Sequence, residues 1–159
     1  MDQRHSLAQG ALRLILGVVF VAHGAQKLFG WFGGGGVNGT GDFMASLGLN
    51  TGVPLGLVSG TGELIGGVLL LLGLLVPVAA VLLTIDMLVA IVFRTSKLGF
   101  INGGGVELNL IILAAVAALV LLGPGAWSVE RYVSRRRGVA VGSTTRAAEL
   151  SPSTTRTGT

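Results

Sequence analysis

Four apolar runs dominate this chain, and they leave it little choice of fold. They extend roughly from Gln9 to Phe29, Val53 to Leu75, Val76 to Phe93 and Val106 to Leu122. A helix crosses a hydrocarbon core of about 30 Å with about 20 apolar residues, in a range of about 17 to 25, and each run has that length. Lipid offers backbone amides no partner, so each run must be helical. The expected fold class is all-α, an integral membrane four-helix bundle. Between the second and third runs, "LGLLVPVAA" carries Gly73 and Pro77. These predict a tight helical hairpin rather than one long helix.

Composition supports a lipid solvent. Only 11% of the residues are charged, against about 25% in an ordinary soluble domain. The 27 glycines follow no G-X-Y period, which excludes collagen, and small residues let transmembrane helices approach closely. With no cysteine in the chain, disulfide, thiol-redox and cysteine-metal chemistry are excluded. The basic residues cluster toward the C-terminus, so anionic lipid headgroups are a simpler partner than nucleic acid.

An even number of spans puts both termini on one side. That side holds Arg4, Arg13, Arg131, Arg135, Arg136, Arg137, Arg146 and Arg156, and the other holds Lys27, Arg94 and Lys97. The positive-inside rule then places both termini in the cytoplasm. Arg13, inside the first run, is expected to snorkel. Arg4, the following apolar stretch and "VAHGA" also resemble a cleavable signal. Arg13 interrupts that pattern, and cleavage would leave three spans with the Arg-rich tail outside.

The chain divides into a short N-terminus (residues 1–8), a membrane domain (9–132) and a basic tail (133–159). From Gly138 the tail has too little apolar surface to fold. The first outer loop, Gly30 to Gly52, is long and Gly-rich. Within it "DFMASLGLN" predicts a short helix with Asp42 as N-cap and Phe43, Met44 and Leu47 on one face. Such a helix would lie in the interface or close over the bundle.

Depth, reckoned at about 1.5 Å per residue, gathers the polar residues. His23, Gln26 and Lys27 fall in the outer half of the first helix. Glu63 and Asp86 fall near mid-membrane, Arg94 at the outer end of the third helix, and Glu107 and Asn109 at the outer start of the fourth. His23, Gln26 and Lys27 are spaced to share a broad helix face. Lys27, Arg94 and Glu107 are near enough to the surface for ordinary snorkelling or interfacial ion pairing. Glu63 and Asp86 are not, because a charge at the bilayer centre costs at least about 2.5 kcal/mol and usually faces a bundle interior or cavity. Gly56 with Gly60, and Gly62 with Gly66, form small-xxx-small pairs that would turn Glu63 toward a neighbouring helix.

Other patterns carry little. "GGGVNG" matches a dinucleotide fingerprint in letters but has no βαβ context. Two histidines are too few for a histidine metal site, and His23, Glu63 and Asp86 could hold iron or zinc only as a mixed set. No metal is assigned.

Several segments together resemble the DoxX family: "RLILGVVFVAHGAQKLFG" from Arg13, "GELIGGVLLLLGLLVPVAAVLLTIDMLVAI" from Gly62, "NGGGVELNLIIL" from Asn102 and "GPGAWSVE" from Gly123. The likeness runs from about Leu12 to Tyr132. It implies a small four-helix protein of the bacterial plasma membrane. It also implies a link to quinol oxidase, thiosulfate and quinone chemistry, or anchoring of soluble oxidative-stress enzymes. The matching positions are Arg13, His23, Gln26, Lys27, Glu63, Asp86, Glu107 and the turn at Gly123, Pro124 and Gly125.

Three functional readings follow. In the first, a quinone-like molecule enters between the helices, His23 or Lys27 donates to its oxygen, and Glu63 or Asp86 handles protons. In the second, the helices anchor the chain and Arg131, Arg135, Arg136 and Arg137 dock an acidic soluble partner or the lipid surface. In the third, the chain is a transporter or permeation subunit acting as a homo-oligomer. The favoured expectation is an accessory or anchoring subunit of membrane redox metabolism with a quinone or lipid pocket. No cofactor is certain, and no self-sufficient catalytic motif is visible.

Overall fold

The computed structural model describes residues 3–49, 52–93, 106–122, 128, 129 and 132. All regular structure among them is helical. The elements are α1 (Gln3–Phe29), a 3₁₀ turn (Trp31–Gly33), α2 (Gly36–Ser46), α3 (Gly52–Leu72), α4 (Val76–Phe93) and α5 (Val106–Leu122). By length and composition α1, α3 and α4 can each cross a bilayer. At 17 residues α5 is apolar throughout except for Glu107 and Asn109, and it sits at the lower limit of about 17 for a span.

The hairpin expected between the second and third runs is present. Gly73 takes φ +63°, its N–H donates to Leu70 O, and the N–H of Leu74 reaches back to Leu69 O at 3.0 Å. This pair of bonds satisfies the last carbonyls of α3 and needs a left-handed residue at its centre, which glycine adopts without strain. Pro77, second in α4, lacks the N–H that a first turn would leave unpaired anyway.

Helices α1 and α3 are the most extensively packed pair, followed by α2 with α3, α3 with α4 and α4 with α5, while α1 touches α5 more lightly. Glycines set the closeness of the first pair. A Cβ on Gly24 would lie 2.6 Å from the backbone N of Leu64, and one on Gly67 would lie 2.7 Å from that of Val21. Numbers fall on one helix as they rise on the other, so the pair is antiparallel. Of the two glycine pairs singled out in α3, Gly56 abuts α2, Gly60 abuts Leu28 and Lys27, and Gly66 abuts Leu83. Gly62 meets nothing within 4 Å and is no packing residue.

Leu16, Phe20, Leu70, Val76, Leu83, Met87, Val116 and Leu119 form the buried core. Outward-facing Leu14, Ile15, Val18, Ile65, Val81, Ile85, Leu88 and Ile111 are exposed, as suits a bundle whose solvent is lipid. Gln9 of α1 is buried and donates through Nε2 to Leu122 O of α5 at 2.5 Å. This clasp closes the α1–α5 seam at one end. Arg13 does not snorkel freely. It is 4% exposed, and a Cβ on Gly73 would collide with its guanidinium and with Ser128 Cβ. Protein at the α3–α4 turn covers it.

The loop helix differs from expectation at its start. It begins at Gly36 after Gly35, so Asp42 lies inside it and is exposed rather than capping it. Met44 and Gly41 are buried, and Gly41 has Val53 and Gly52 backbone where a Cβ would be. Thus α2 closes over the bundle against α3.

Candidate functional site

Lys27, in the last turn of α1, is the centre of the polar cluster. Its Nζ lies 2.8 Å from Ser59 Oγ, 3.0 Å from Glu63 Oε2 and 3.5 Å from Asp86 Oδ2. Three oxygens thus surround an ammonium with three protons. Ser59 accepts from Lys27 and donates its own hydroxyl to Asp86 Oδ1 at 2.5 Å, tying α3 to α4. Glu63 is 2% exposed and meets Lys27 as an ion pair rather than in hydrogen-bond geometry.

The local sequence explains the convergence. Ser59 and Glu63 are four apart on α3 and share a face. Between them Gly60 leaves room for the Lys27 stem: a Cβ there would lie 3.1 Å from Lys27 Cβ and 2.8 Å from Leu28. The lysine therefore lies flat on α3 with its ammonium between the two side chains that flank the glycine.

The cluster forms one end of a cleft of about 410 Å³ between α1, α4 and α5. Ile15, Val19, Phe20, Met87, Ile111 and Ala115 supply apolar walls, while His23, Lys27, Glu63, Asp86 and Asn109 supply polar groups. Exposed Ile15 and Ile111 flank its mouth, so it opens sideways to lipid. Apolar walls with a few convergent polar groups are the usual character of a small-molecule site. His23 holds Val19 O through Nδ1 at 2.8 Å. A carbonyl only accepts, so Nδ1 carries the proton and Nε2 is left for other partners.

The expected set thus divides. His23, Lys27, Glu63, Asp86 and Asn109 line one cleft. Gln26 instead faces a second cavity of about 510 Å³ with His23, Lys27, Gly34, Gly39, Thr40 and Phe43. Glu107 does not line the cleft, and its Oε2, like Asn109 Nδ2, is buried without a hydrogen-bond partner among the described residues. Arg94, Asn102, the Gly123–Gly125 turn, Arg131, Arg135, Arg136, Arg137 and the tail lie outside the described residues. Ser59 was missed by the depth argument, although its place four residues before Glu63 could have found it. Among the described residues no three metal-ligating side chains converge, and Lys27 fills the space between the acids.

The DoxX family model matches residues 8–96, the stretch holding the first three spans and the whole Lys27 cluster. The chain belongs to the DoxX family. Rv3486 of Mycobacterium tuberculosis, named as an uncharacterized membrane protein, is 35% identical over 138 residues, covering 79% of this chain and 80% of its own. CatD of Bacillus subtilis, named as a candidate oxidoreductase, is 29% identical over 133 residues, covering 84% of this chain and 92% of its own. No solved structure matches. Family and spans together make this a multi-pass membrane protein of the bacterial type.

Proposed function

We propose that this DoxX protein is an accessory subunit of membrane redox metabolism that holds a quinone-class molecule in the α1–α4–α5 cleft. The observation that carries the reading is the cleft itself: apolar, open to lipid along its side, and ended by Lys27, Glu63 and Asp86. A planar ring with carbonyl oxygens and an apolar tail fits such a shape. Asn109 Nδ2, which has no hydrogen-bond partner among the described residues, is a donor for one of its oxygens, and the Lys27 ammonium lines the same cleft as a positive charge. The Gln9–Leu122 clasp closes the seam below Leu12, which suits a dead-end pocket better than a permeation path. The name of CatD is consistent with redox work.

In this reading the Arg13 end faces the cytoplasm and α2 faces outward, following the arginine distribution. Residues 9–132 form the membrane domain. Arg131 and Arg135 to Arg137 meet anionic lipid or a soluble redox partner.

The test is a titration of protein in nanodiscs with 2,3-dimethyl-1,4-naphthoquinone, which cannot alkylate side chains. Trp31 fluorescence reports binding in a Trp127→Phe background. Saturable quenching is expected, weakened about tenfold (about 1.4 kcal/mol) by Lys27→Met and abolished by Ala115→Phe, which fills the cleft. Linear quenching that is equal in all variants reports partition into lipid and refutes the site.

A further inference from the structure

The second cavity gives the cluster another neighbour. It lies at the α2 end of the bundle, walled by glycine backbone, the Gln26 amide and the Thr40 hydroxyl, and Thr40 Oγ1 is fixed to Lys27 O at 3.2 Å. His23 and Lys27 line both this vestibule and the lipid-facing cleft. They are the partition between a lipid-side compartment and a polar one. Lys27 is engaged by three oxygens, whereas His23 is tethered by Nδ1 alone and exposed, so its Nε2 is free to face either side.

We infer that His23 is a proton-exchange residue between the cleft and the vestibule. Nε2 takes the proton of a ligand hydroxyl: the O–H bond breaks, an N–H bond forms, and the ligand oxygen keeps the electron pair beside the Lys27 ammonium. The imidazolium then releases that proton to vestibule water, while Nδ1 keeps its own proton and donates it to Val19 O throughout. Histidine suits this task because it gains and loses a proton in the physiological range. The charged groups that face it are Lys27 from α1, Glu63 from α3 and Asp86 from α4, and α5 contributes the neutral Asn109. This role rests on the quinone-class ligand proposed above being held in its hydroxyl-bearing quinol form, but its test needs no ligand.

The chain has two histidines, so His5→Gln leaves one imidazole for ¹⁵N-histidine NMR in nanodiscs. The spectrum is expected to show Nδ1 as the protonated nitrogen of the neutral ring, and an Nε2 proton that exchanges with water when the ring is charged. Gly39→Leu fills the vestibule from a position with nothing within 4 Å of its Cβ, and Phe43→Trp fills it independently. Each is expected to slow exchange of the Nε2 proton with water at least about threefold, while Ala115→Phe in the cleft leaves exchange unchanged. A neutral ring protonated at Nε2 instead of Nδ1, or exchange slowed by Ala115→Phe or by neither vestibule variant, overturns the inference. Naphthoquinone binding can fail while this exchange pattern holds, which would retire the quinone class as the ligand and keep His23 as the route from cleft to vestibule.

Discussion

Replacing Lys27 by Met removes the one cation within reach of Glu63 and Asp86 among the described residues. The side chains are similar in volume, so packing is nearly conserved and electrostatics dominates the outcome. Two scales compete. Hydrogen bonds measured between membrane helices average about 0.6 kcal/mol, because the unfolded chain in lipid also finds partners. Removing one partner of a buried ion pair costs about 3–5 kcal/mol, because a charge is left uncompensated. Glu63 is 2% exposed and Lys27 25% exposed, so the pair is mostly dry and the larger scale should govern, reduced somewhat at the lysine. The expected loss for Lys27→Met is about 2–4 kcal/mol. The triple change Lys27→Met, Glu63→Met, Asp86→Leu removes the charges together and should recover most of that loss. Unfolding in mixed micelles titrated with a denaturing detergent, followed by circular dichroism, measures both. A Lys27→Met protein within about 0.6 kcal/mol of wild type, or a triple variant no more stable than the single, would refute the view that Lys27 compensates buried Glu63 and half-buried Asp86.

Gly24→Ala should destabilise by about 1–3 kcal/mol, since its Cβ would stand 2.6 Å from Leu64 backbone and the helices must part; Gly62→Ala, with open space, should be neutral or stabilising in the same unfolding assay. Gly60→Leu should displace Lys27 from Ser59 and Glu63 and mimic Lys27→Met in naphthoquinone titration. Ser59→Ala keeps the ion pairs and loses the hydroxyl bridge to Asp86, costing about 0.5–1.5 kcal/mol by detergent unfolding. Gln9→Leu should free Leu122 O, open the α1–α5 seam and raise proteolytic cleavage near residue 122, which mass spectrometry of limited digests would detect.

Much of this architecture was legible in the sequence because lipid imposes length and helicity together. Depth alone brought Lys27, Glu63 and Asp86 into one layer. It could not separate Gln26 from Lys27, because adjacent helix positions point about 100° apart and the direction of α3 decides which one meets the acids. Ser59 was hidden because a hydroxyl among apolar residues carries little signal until its face is known. The start of α2 was hidden for another reason: "GGGVNGTG" has poor intrinsic helix propensity, and contact of Gly41 and Gly56 with opposing backbone overrides it. Arg13 was read as reaching for water because its cover comes from residues more than fifty positions later.

That last feature bears on how the chain is made. The first span leaves the ribosome with an arginine near the start of its apolar stretch, at a cost of up to about 2.5–3.5 kcal/mol, the value at a helix centre, if it faces lipid. The residues that shelter it, Gly73 and Ser128, are synthesised only after the second span and after the fourth. Until then the first helix is an incomplete client of the membrane, dependent on water at the interface or on an insertion chaperone. Nascent chains halted before the hairpin should therefore be degraded or extracted readily, and those that include it should be held.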